Sequence, residues 1–183
     1  MNTTSQMTFW GITLRTIIVH TITYFIIGLV AFSLFNYSAR FAEPPMNAFM
    51  RPTDDPIVAL GVLFQPLRGL LFGIVFYLLR NSLFSSKRGW LTAWVMLVFV
   101  GIFSTFGPTP GSIEGFVYTI IPLKGQLAGL SEVLTQSFLL SALVFYWVRH
   151  PNIRWLNWGL SILFLIVLLL PLLGMLASRA VTP

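Results

Sequence analysis

The chain has 183 residues, 11 of them Lys or Arg and 5 Asp or Glu, so 9 % are charged where a soluble domain carries roughly 25 %. Apolar residues make up 56 % and the mean hydropathy is +0.85, which leaves too few polar side chains to cover a water-soluble globule. A soluble enzyme and a disordered linker are excluded, and so is a nucleic-acid partner despite the formal charge of +6, because the cations cluster at the ends of apolar runs.

Residues Met1 to Gly11 lack a basic region followed by a small-residue cleavage site, so the first apolar run reads as an uncleaved helix. Apolar runs predict membrane spans over 16–37, 56–79, 90–106, 128–148 and 155–176. Pro44, Pro45 and Pro52 break the first connection, and Asp54-Asp55-Pro56 is a helix start, with Asp capping free amides and Pro fitting the first turn. Lys87 and Arg88 mark a short basic loop before the third span. Between Pro108 and Pro122 the piece 112–121, capped by Ser112, is apolar but too short to cross, since three turns cover about 15 Å. It reads as an interfacial or re-entrant helix. His150 closes the fourth span, where a cation complements the helix dipole. The fold class is all-α: a polytopic transmembrane helix bundle, one integral membrane domain over 1–183, with about five spanning helices and one short re-entrant or interfacial helix.

Five crossings put Arg15, Arg80, Lys87, Arg88, Arg149 and Arg154 on one side and Arg40, Arg51, Lys124 and Arg179 on the other. The richer side is expected to be cytoplasmic, with the N-terminus inside and the C-terminus outside a plasma (bacterial inner) membrane. All six Trp fall at the ends assigned to that same side.

Arg68 is the strongest pointer to function. It lies about twelve residues into the second span, about 18 Å from either end, beyond the reach of snorkelling. An unpaired cation there costs at least about 2.5–3.5 kcal/mol, so it must face protein or a wet cavity and should find an acceptor. Pro66 should kink the helix, Gln65 shares the face of Arg68, and Gly69 and Gly73 form a G-x-x-x-G pair that admits another helix closely. Two carboxylates are placed to answer the cation. Glu132 lies in the fourth span with Gln136 one turn on, and Glu114 lies in the short helix with Tyr118 one turn on. The expected constellation is therefore Gln65, Arg68, Glu114, Tyr118, Glu132 and Gln136. It is open to the outer side, with a gap on the order of 10 Å between Arg68 and Glu132.

Weaker features have packing explanations. His20, with Tyr24 one turn on, reads as a helix–helix hydrogen bond rather than a proton relay, and Gly125/Gly129 and Ser137/Ser141 read as close-packing pairs. No metal-ligand spacing occurs and no cofactor is implied. Three functions follow, in order. The first is a binding or transport module for a small polar or anionic ligand or a lipid headgroup. The second is a non-catalytic subunit of a larger membrane assembly or homo-oligomer, with the Arg–Glu pair as structural glue. The third is a membrane enzyme using Glu114 or Glu132 as acid or base. An enzyme is the least favoured of the three.

Overall fold

A computed structural model describes residues 7–181, with side chains through residue 176; the side chain of Arg179, counted above, lies outside these. The described residues are helical and contain no strand, and four helical runs are long and apolar enough to cross a membrane: Phe9–Leu34, Pro56–Leu78, Leu123–Arg149 and Arg154–Leu176.

The first helix, α1 (Phe9–Leu34), begins earlier than the apolar run implied, because the Thr8 hydroxyl accepts from the Gly11 amide at 3.1 Å and caps it. Arg15 consequently lies inside α1 rather than flanking it. Its guanidinium donates to the Gly11 carbonyl at 2.8 Å and sits 5.6 Å from the Trp147 ring centre. Asn36, in the left-handed region at φ 48°, turns the chain into α2 (Tyr37–Ala42), so Tyr37 opens α2 rather than closing the first span.

Asp55 caps α3 (Pro56–Ala59), accepting from the Ile57 amide at 2.9 Å. That amide and the Arg51 guanidinium, 2.9 Å from Oδ2, hold its carboxyl below the ordinary carboxylate range. A 3-10 stretch, Leu60–Phe64, then leads into α4 (Gln65–Leu78). Pro66 supplies no amide, and the tighter winding falls in the turn just before it. After α5 (Arg80–Phe84), α6 (Gly89–Val98) ends in a π turn over Phe99–Phe103. This run of 15 residues covers about 22 Å, short of the roughly 30 Å hydrocarbon layer, so the predicted span 90–106 is not among the helices long enough to cross. The loop that follows and α7 (Ile113–Tyr118) fill the remaining depth. The fourth span, α8 (Leu123–Arg149), starts directly after Pro122, ahead of the predicted 128, and α9 (Arg154–Val181) carries Pro171 inside it.

The central helix is α1, with α4, α8 and α9 against it; α6 lies along α8. The α1–α4 pair is antiparallel. Phe9 meets Tyr77 edge-on, and His20 meets Gln65. Between these contacts a Cβ on Gly73 would stand 2.9 Å from Thr13 Cα, and one on Gly69 would stand 2.7 Å from Ile17 Cα. The G-x-x-x-G pair thus admits α1 almost to backbone contact, as its spacing implied. The five apolar runs alternate in direction, which gathers Arg80, Lys87, Arg88, Arg149 and Arg154 at one end. The apolar core lies at that same end, built from Ile12, Phe76, Leu83, Val144 and Trp147 among others. The opposite end is less densely filled.

Replacing Gly69 with Val is expected to lower stability by about 1–3 kcal/mol, because Ile17 backbone cannot yield to the new atoms. Gly159→Ala, where a Cβ meets open space, should leave the melting temperature in detergent unchanged or slightly raised. Thermal unfolding followed by intrinsic tryptophan fluorescence tests both.

Candidate functional site

His20, buried on α1, joins three helices. Its Nε2 lies 3.2 Å from Gln65 Oε1 on α4, and its Nδ1 lies 3.5 Å from Gln136 Nε2 on α8. The pattern uses one N–H and one lone pair of the imidazole. Gln65 also donates to the Gly61 carbonyl at 3.1 Å, in the 3-10 turn before Pro66. The Phe72 ring packs edge-on against the imidazole at 5.0 Å.

Beside this junction opens a chamber of about 1130 Å³. Its walls come from α1, α4, α8 and the α6 π turn, and α2 with the loop after it lies over its far end. Apolar side chains dominate the lining, and Tyr24, Tyr37, Arg40, Arg68, Glu132 and Gln136 supply most of its polar character. Arg68 is exposed to this space rather than packed in protein. Its guanidinium carbon lies 5.7 Å from the Phe72 ring centre, within electrostatic reach of His20 and Tyr24. Among the described residues it has no hydrogen-bonding or ion-pair partner; the one ion pair there is Arg51–Asp55.

Arg68 and Glu132 do not pair, and helix register accounts for the gap between them. Gln65 and Gln136 both meet His20 and so share one level. Arg68 follows Gln65 on α4, while Glu132 precedes Gln136 on α8, and the two helices run the same way. Three residues in one direction and four in the other offset the two backbone positions by about 10 Å along the bundle axis. Glu132 instead accepts a short hydrogen bond from the Tyr37 hydroxyl on Oε2, and its Oε1 faces Gly28. Tyr24 lies within electrostatic reach of both charges.

Glu114 and Tyr118 are not brought to the chamber. Ser112 caps α7 through the Gly115 amide at 2.9 Å, and Gln126 of α8, fully buried, clamps the same segment. Gln126 accepts from the Gly111 amide at 2.6 Å and donates to the Gly115 carbonyl and the Thr119 hydroxyl, each at 2.9 Å. That pins the Gly115–Thr119 face against α8. Glu114 is left half-buried outside the chamber lining, and Tyr118 is 72 % exposed. Gln126 and Tyr37 were not among the expected site residues. A lone amide early in an apolar run pointed toward Gln126, whereas nothing local marks Tyr37.

Among the described residues no three His, Cys, Asp or Glu side chains are grouped to hold a metal ion. Compared with family descriptions, curated proteins and solved structures, the chain matches none.

Replacing Gln126 with Leu strips the Gly111 amide of its partner and leaves the Gly115 carbonyl only the Thr119 hydroxyl, a loss on the order of 1–3 kcal/mol. Hydrogen exchange across 109–119 should accelerate at least tenfold, while α1 and α4 keep their protection.

Proposed function

We propose that the chain binds a membrane lipid in the chamber, the phosphate against Arg68 and the acyl chains along the apolar walls. The observation that carries this is the unpartnered guanidinium, halfway along a spanning helix, facing a space lined mostly by apolar side chains. A cation at that depth is costly without an anion, and a phosphate offers acceptors matched to the guanidinium fork. The chamber exceeds the roughly 300–1000 Å³ typical of small-ligand pockets, and a small hydrophilic solute would leave its apolar walls unsatisfied. The same arrangement suits either holding a lipid or passing it along. Orientation belongs to the proposal: the cation-rich end faces the cytoplasm of a bacterial inner membrane, and the chamber opens toward the outer leaflet.

Protein extracted in mild detergent is expected to retain about one phospholipid per chain by mass spectrometry, with Arg68→Gln reducing retention about tenfold, the worth of one charge-assisted hydrogen bond. Millimolar inorganic phosphate should not displace the lipid. Equal retention by the variant at equal yield would overturn the proposal. Orientation can be tested independently because the chain has no cysteine. With single substitutions in intact cells, an impermeant maleimide should label Asn47→Cys and spare Ser85→Cys.

A further inference from the structure

Building on the lipid reading, we infer that the headgroup bound is zwitterionic, a phosphate joined by a two-carbon arm to a primary ammonium. The chamber presents two opposite charges that do not neutralise each other. Among the described residues Arg68 has no anionic partner, and Glu132 has a tyrosine hydroxyl on one oxygen and no cation within ion-pair distance. Arg40, the other cation in the lining, is turned elsewhere. Its guanidinium carbon is 5.7 Å from the Tyr37 ring centre, and one of its nitrogens lies 3.0 Å from where a Cβ on Gly125 would stand. It also borders a second, smaller cavity of about 660 Å³ with Glu43 and Lys124.

Charges drawn from water are stable only when paired, so each of the two requires its own counter-charge from a ligand. A purely anionic headgroup satisfies Arg68 and sets hydroxyls or a second negative group against Glu132. A zwitterion satisfies both. The two backbone positions are about 10 Å apart along the axis, a gap that the two side chains, charge-assisted hydrogen bonds of about 2.8 Å and a two-carbon arm bridge together. Tyr24 lines the same chamber. A trimethylated ammonium has no N–H to give the carboxylate, so the primary amine is the favoured form.

The test exposes the purified full-length chain to vesicles of equimolar phosphatidylethanolamine and phosphatidylglycerol and counts the retained lipids by native mass spectrometry. The wild type should keep the ethanolamine lipid at least fivefold over the glycerol lipid. Glu132→Gln, which leaves an acceptor for Tyr37, should bring that ratio to about one by lowering retention of the ethanolamine lipid while the glycerol lipid is kept. A second measurement needs no variant: substituting phosphatidylcholine for the ethanolamine lipid should reduce the wild-type preference. A wild-type ratio at or below one, or an equal preference in Glu132→Gln, would overturn the headgroup assignment while leaving the Arg68-dependent binding standing. Displacement of the lipid by soluble glycerophosphoethanolamine at equal concentration would overturn the lipid as its source.

Discussion

With only hydrogen at Gly69 and Gly73, the backbones of α1 and α4 nearly touch over two turns. That contact sets Gln65 level with His20 and leaves Arg68 about one turn further along, on the side of α4 that α1 does not cover. A bulkier residue at either glycine would push the helices apart and break the His20 hydrogen bond. His20 in turn fixes α8, since its second nitrogen faces Gln136. The relative heights of the charged groups on α4 and α8 therefore follow from one close approach and one imidazole.

The two ends of the bundle differ in how they are filled. At the cation-rich end, Phe76, Leu83, Val144 and Trp147 interlock, and Asn157 of α9 takes the Trp147 indole N–H. At the other end α6 stops short, and its place is taken by loop and by α7, which Gln126 holds by backbone groups instead of by apolar packing. Irregular backbone survives within a bundle only when its polar groups are answered from within, and one buried glutamine answers two of them and a threonine hydroxyl. The chamber is what the shortened helix leaves uncovered.

A packed base beneath an open upper half suits a protein that takes its ligand from the bilayer. The packed half holds the helices in register. The lipid proposed above would meet an arrangement already in place and spend little on reorganising it. Aromatic residues on α2, with Tyr37 stacked on Phe41, cover the far end and tie Glu132 to the loop above it.

Composition and the length of the apolar runs determined that the chain is helical and apolar enough for a membrane, because a continuous run of about 20 apolar residues satisfies its own backbone in hydrocarbon as a helix. The Arg68 position, the Gly69–Gly73 groove and the Asp55 cap were equally legible, since each rests on spacing within one helix. Which groups meet across helices was not. The depth of Glu132 relative to Arg68 depends on how α4 and α8 register against α1, and a one-residue slip changes it by about 1.5 Å. The exclusion of Glu114 and Tyr118 depends on Gln126 fastening α7 by its other face. The bond from Tyr37 to Glu132 requires a left-handed turn at Asn36 that ends α1 early. Those outcomes belong to tertiary packing because they are decided by contacts between residues far apart in the chain, which no local pattern encodes.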